Sequence, residues 1–280
     1  MAVRILVDST ADIPPERAQE LGITVVPLTV EFGNESFRDG IDLDGPGFYR
    51  RLQSSQQVPT TSTPPPGLFE EYYRKLASEG ATGVLALHIG SGLSATFSVS
   101  TTAAQAVTAD THMPIEVIDS RTVSAGFGLP AEILAREACE GASLEQLKAH
   151  AESLLSRVHL VAVLDTLEYL RRGGRIGRAK EMLGTLLNVK PLLEVRDSVV
   201  VPLEQVRTRA KAQERIGQIM AKLGELEAVA VVASDEAVGG QLKAVAQSLW
   251  SGPIEIFSLG PVVGTHAGPG AGGIFAVTKA

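Results

Sequence analysis

The chain has 280 residues, room for one large domain or two of ordinary size. Its 32 Asp and Glu outweigh 25 Lys and Arg, a formal charge of −7, which argues against a general nucleic-acid binder, where a basic face is needed. With 44% hydrophobic and 20% charged residues the composition excludes disorder, and a chain this long can bury a core with space for a cavity.

Short β-branched runs at residues 3–7, 23–30, 84–89, 115–118, 160–164, 189–195, 228–233 and 254–258 read as strands. Helical spacing falls between them, at 14–21, 68–78, 93–107, 128–140, 144–155, 180–187, 210–223 and 239–250. Several strands are apolar throughout, as where helices cover both faces of a sheet. The alternation predicts an α/β fold of mostly parallel sheets. Two consecutive helices before residue 157, and a new strand–helix series after it, predict two α/β domains: a Rossmann-like 1–157 and a second over 158–280.

One cysteine, Cys139, excludes a disulfide framework; it is expected to be a small buried helix residue. The first residues reach Asp8 after a short apolar run, which predicts no secretory leader. No apolar run approaches the roughly 20 residues that span a bilayer, so a cytoplasmic location is expected. The five histidines form no i, i+4 pair, and no metal site is expected.

Ligands of open α/β sheets bind beyond the carboxyl ends of the strands. There the chain carries Asp8-Ser9-Thr10-Ala11-Asp12, Thr60-Thr61-Ser62-Thr63-Pro64, Gly90-Ser91-Gly92-Leu93-Ser94-Ala95-Thr96, Asp119-Ser120-Arg121 and Asp165-Thr166. Asp119 and Asp165 are expected to cap helices. Caps alone do not explain the gathering of Thr61, Ser62, Ser91, Ser94 and Thr96, whose hydroxyls suit one small anion, a phosphate or a carboxylate. Gly90 to Ala95 matches G-x-G-x-x-A, but so does Gly126 to Ala131 with no strand directly before it, so the pattern discriminates poorly. No P-loop occurs. His266 lies in the glycine-rich stretch 264–273, where backbone can approach a ligand closely. Residues 171–180 hold Arg171, Arg172, Arg175, Arg178 and Lys180 without an acid; such a block is a solvated face or a surface for an anion or partner.

In order along the whole chain, Asp8-Ser9-Thr10-Ala11-Asp12-Ile13-Pro14, Thr61-Ser62-Thr63-Pro64, Ser91-Gly92-Leu93-Ser94-Ala95-Thr96-Phe97, Asp119-Ser120, Leu167-x-Tyr169-Leu170 with Gly173-Gly174-Arg175-Ile176, Leu187-Asn188-Val189-Lys190-Pro191 and Gly264-Thr265-His266-x-Gly268-Pro269-Gly270 resemble the DegV family of fatty-acid-binding proteins. Gly90, Ala95 and Phe97 stand where Ser, Gly and Tyr are common in that family. The resemblance implies a non-catalytic lipid-binding protein. A long-chain fatty acid such as palmitate, stearate or oleate would lie in a tunnel at the domain interface. The ATP-binding subunit of a fatty acid kinase would convert its carboxylate to an acyl phosphate. Thr61, Ser94, His266 and Arg175 are the implied carboxylate residues, with Ser62 and Ser91 secondary. Arg171, Arg172, Arg178 and Lys180 would meet the partner or an anionic membrane surface. No cofactor, metal or nucleic acid is expected. Two alternatives stand beside this: a serine hydrolase with Ser94 as nucleophile and His266 as base, and a phosphate- or nucleotide-binding regulator using the turn at 90–96.

Overall fold

The computed structural model describes residues 2–184 and 189–280. The chain begins with β1 (Val3–Asp8), a 3-10 turn over Ser9–Ala11, α1 (Pro15–Glu20), β2 (Thr24–Val26), β3 (Thr29–Phe32) and β4 (Glu35–Arg38). Then come α2 (Gly45–Ser54), β5 (Thr60–Ser62), α3 (Pro66–Ser78), β6 (Gly83–His88), α4 (Thr96–Thr111), β7 (Ile115–Asp119), α5 (Ala125–Cys139) and α6 (Leu144–Ser156). The rest comprises β8 (Val158–Val163), α7 (Glu168–Arg172), a 3-10 turn over Gly177–Met182, β9 (Lys190–Arg196), β10 (Val199–Val206) and α8 (Arg209–Met220). It closes with β11 (Leu226–Ala233), α9 (Glu236–Gln247), β12 (Glu255–Ser258), α10 (Pro261–Ala267) and β13 (Gly272–Thr278).

The first sheet, β2-β1-β6-β7, is wholly parallel, as the apolar runs predict. All six residues of β6 are buried because helices cover both faces. Phe69 and Tyr73 of α3 and Ala103 and Val107 of α4 pack on one side. Phe127 and Leu134 of α5 and Leu147 and Leu154 of α6 pack on the other. The capping box of Ser143 and Gln146 fixes where α6 starts.

The second sheet corrects the expectation of mostly parallel pairing. Its order is β10-β9-β8-β13-β11-β12, and only β11 with β12 runs parallel. The physical reason is β13, the strand beside β8 and β11. It opens on Gly272-Gly273 at the end of a glycine-rich stretch that reads as loop, and it runs antiparallel to both neighbours. Ile216 of α8 and Leu242 of α9 cover the outer face. The inner face meets a third sheet, β4-β3-β5, together with Phe48 of α2 and Val262 of α10.

The start of the predicted 180–187 helix is the 3-10 turn ending at Met182, and its residues 185–187 lie outside the described residues, as do Leu187 and Asn188 of the quoted motif. Cys139, expected inside, is exposed at the end of α5. Asp119 and Asp165 cap no helix: Asp119 accepts the Ser91 and Arg121 amides, and Asp165 pairs with Lys190 and Arg209. No helix among the described residues is long and apolar enough to cross a membrane.

Candidate functional site

A cavity lies between the inner face of the second sheet and the carboxyl ends of the first. Leu160, Ala162 and Leu164 of β8 and its end, Leu193 and Val195 of β9, and Phe275 of β13 form one wall. Leu28, Ile89, Leu93 and Val123 form the other, and Val262 and Val263 of α10 close it. Its atom-free space, with the open solvent at its mouth included, is ≈ 1040 Å³.

Most of the polar lining belongs to one cluster, with Ser124 and Glu194 lining the space besides. Thr61, on the β5 edge opposite Val30, approaches His266 Nε2 with its hydroxyl at 3.0 Å. Ser94 ends the turn before α4; its hydroxyl lies 2.8 Å from that of Thr96 and 3.3 Å from that of Thr63. Arg175 donates from Nε to the Leu93 carbonyl at 3.1 Å and from Nη1 to the Gly173 carbonyl at 2.8 Å. It thereby ties the α7 end to the Ser94 turn. The structure thus brings Thr61, Ser94, His266 and Arg175 to one cavity mouth.

His266 sits in the last turn of α10, and its Nδ1 is buried without a hydrogen-bond partner among the described residues. A proton there would be a buried, unmet donor, which costs more than an unmet lone pair. The favoured tautomer therefore carries its proton on Nε2 and donates to Thr61, which leaves the Thr61 O–H free to donate to a ligand. Burial, helped by the Arg175 guanidinium, pushes the His266 pKa down to about 4. At neutral pH the imidazole is uncharged, and Arg175 supplies the formal positive charge.

The other end of α10 is anchored by acids. Asp12 accepts the Gly260 amide at 3.0 Å and the Ser124 hydroxyl, and Asp39 accepts from Ser9 Oγ at 2.9 Å. Burial raises the pKa of Asp12 well above its ordinary value and that of Asp39 to about 7. Asp8 accepts the Ile89 amide at 3.0 Å and meets His88 Nδ1 at 3.0 Å. His88 Nε2 in turn meets Ser100 on α4 at 2.7 Å. These buried bonds fix both elements that carry the mouth.

Three sequence expectations separate here. Ser62 borders the cavity but is exposed and donates to Glu31 at 3.2 Å. Ser91 is exposed, its amide goes to Asp119 at 3.0 Å, and it is not among the cavity's lining residues. The basic block is partly neutralised in space: Glu168 pairs with Arg171 at 2.7 Å and Arg172 at 2.6 Å, and Arg178 lies 4.0 Å from Glu181. Lys180 is exposed. For the hydrolase alternative, Nε2 of His266 faces Thr61 while Ser94 is engaged by Thr63 and Thr96. The nucleotide alternative loses its glycines to packing. A β-carbon on Gly90 or Gly92 would lie 2.7 Å from Ser198, the tip of the β9–β10 hairpin, whose amide donates to the Arg121 carbonyl at 2.9 Å.

Sequence reasoning missed Gly173 and Thr63. Gly173 leaves room for the His266 ring: a β-carbon there would stand 2.7 Å from Cε1 and closer still to Nδ1. Its signal was present as the Gly-Gly before Arg175, but the ring it serves is 93 residues away, position 266 against 173.

Fold and mouth together define an α/β protein with a mostly apolar cavity that carries uncharged donors and one guanidinium. Among the described residues no group of His, Cys, Asp or Glu could hold a metal ion. The family model described as "Uncharacterised protein, DegV family" matches residues 2–279, and the chain belongs to the DegV family. A DegV domain-containing protein of Halalkalibacterium halodurans is 35% identical over 97% of both chains. A Thermus thermophilus structure, described as fatty acid binding of a DegV family protein, superposes with a TM-score of 0.90 at 32% identity, covering 100% of both chains. The Bacillus subtilis structure described as DegV, a fatty acid binding protein, gives 0.87 at 32% identity, also covering 100% of both.

Proposed function

We propose that this chain is a non-catalytic, cytoplasmic carrier. It holds a long-chain fatty acid (palmitate, stearate or oleate) in the cavity and presents the carboxylate to the ATP-binding subunit of a fatty acid kinase, which forms the acyl phosphate. In this reading residues 1–157 and 158–280 are two domains with the ligand between them. Thr61 and Ser94 donate to the carboxylate, His266 orients Thr61, and Arg175 offsets the charge. Ser62 sits at the rim. Arg171, Arg172, Arg178 and Lys180 form the surface toward the kinase or an anionic membrane.

The observation that carries this reading is that Thr61, Ser94, His266 and Arg175 line one cavity whose remaining walls are mostly apolar. Each buried methylene contributes about 0.8 kcal/mol; about fourteen give roughly 11 kcal/mol gross, and association and ordering costs leave about micromolar affinity or better. A bare carboxylate in such a place needs hydrogen bonds and a positive charge, and the cluster offers both. The solved DegV relatives described as fatty acid binding support the ligand class.

The test is mass spectrometry of organic extract from purified protein, with thermal shift on adding palmitate or oleate. Co-purified fatty acid and a raised Tm are expected. No lipid and no shift would end the proposal. Transfer to the kinase is checked by mixing loaded protein with the ATP-binding subunit and following ADP release.

A further inference from the structure

Strands β8 and β9 pair only at Val163–Leu192 and Ala162–Leu193, although β8 begins at Val158 and β9 continues to Arg196. Beyond Ala162 and Leu193 the two strands part. Leu160 and Val195 stand on either side of this fork. They line the cavity, and they also line a second space outside it. That outer groove lies between the free edge of β7, α6 and the fork, and holds ≈ 1380 Å³ of atom-free space, its open side included. Ile118, Leu155 and Val158 supply apolar wall, while Glu116, paired with Lys148 at 2.8 Å, and Arg196 form part of a charged rim.

We propose that Leu160 and Val195 form the partition that ends the acyl tunnel and so set the longest tail the protein accepts, the groove beyond being the space a longer tail enters once the partition is thinned. The inference rests on the fatty-acid reading and adds to it the residues that select chain length. A sheet in register would seal this end with backbone hydrogen bonds. Here two side chains do so, and a side chain can be changed without unpicking the ladder. Leu160 is 6% exposed and Val195 is half-buried, so the valine is the gentler handle. Position 195 is also not one of the residues proposed to hold the carboxylate.

The experiment loads delipidated wild type, Val195→Ala, Val195→Phe and Leu160→Ala/Val195→Ala with an equimolar mixture of myristate, palmitate, stearate, arachidate and behenate. Retained acids are read by mass spectrometry. Each further methylene brought out of water is worth about a fourfold gain in retention. Val195→Ala should therefore raise arachidate over stearate, two methylenes apart, by up to about 15-fold relative to wild type, with a larger shift in the double variant. Val195→Phe should move the profile toward myristate. Single variants at position 195 keep the test open should the double variant not fold. Variants that load fatty acid with the wild-type length profile overturn the partition alone. A wild type that retains no fatty acid overturns the parent reading and the partition with it.

Discussion

The tightest contact at the mouth is between Gly173 and the His266 ring, and Gly173→Ala tests it. Gly173 has φ −75°, so alanine meets no backbone strain, and its smaller unfolded-state freedom alone would stabilise the protein by about 0.4–1 kcal/mol. Against this, the new methyl would lie 2.7 Å from Cε1 and 3.3 Å from Cγ of a buried ring. Such overpacking costs roughly 1–3 kcal/mol, and a displaced ring forfeits its bond to Thr61, worth about 1 kcal/mol. A net loss of about 2 kcal/mol is expected, a Tm lower by about 4–8 °C for a chain of this size. The assay is calorimetry on a double-mutant cycle with His266→Ala. With the imidazole gone the methyl has room, so Gly173→Ala should be neutral or mildly stabilising in that background, with about 2 kcal/mol of coupling. Equal losses in both backgrounds, or no loss in either, would refute the steric reasoning.

Three further outcomes follow from the same geometry. His266 has a folded pKa of about 4 against 6.5 unfolded, so the unfolded chain takes up the proton first. Stability from this group is complete above pH 6.5 and drains as pH falls toward 4, by about 3 kcal/mol in all; denaturant midpoints of His266→Gln should lack that slope. Asp39 acts in the opposite sense, its pKa raised from 3.8 to about 7. Its contribution is complete below pH 3.8 and is lost as pH rises to 7, so Asp39→Asn should gain on wild type between about pH 4 and 8, and a constant difference across that range would count against the burial argument. Thr61→Ala and Ser94→Ala should each weaken fatty-acid retention roughly 10–100-fold, the loss of one charge-assisted hydrogen bond, while circular dichroism keeps its shape; unchanged loading in both would remove them from the carboxylate site.

Much of this was legible in the chain. β-Branched runs located the parallel sheet; hydroxyl clusters pointed to Thr61 and Ser94, the glycine-rich stretch to His266 and the basic block to Arg175, while only the family resemblance put the four in one site. What escaped was whatever depends on distant partners. β4 and β5 are short and polar and read as loop; β10 carries Pro202 and lacks clean alternation; α2 opens Gly-Pro-Gly, which looks like a breaker until Asp44 is seen to cap it at 2.7 Å. β13 itself went unread, because it opens on Gly272-Gly273 at the end of a glycine-rich stretch, and its antiparallel direction went with it. Gly90 and Gly92 suggested a phosphate turn because their true neighbour, Ser198, lies more than a hundred positions along the chain.

That neighbour sits in a two-residue hairpin loop with φ +48° at Asp197 and +64° at Ser198, a shape that an Asn-Gly pair would adopt at less cost. The chain keeps a side chain at the second position, and the loop's seat on Gly90 and Gly92 is where it meets the first half of the molecule. Local preference and long-range docking are thus set against each other at one turn. The paired change Asp197→Asn and Ser198→Gly would relax the turn while removing the side chain that rests on Gly90, so it trades local strain against the contact between this hairpin and the segment leading to Ser94.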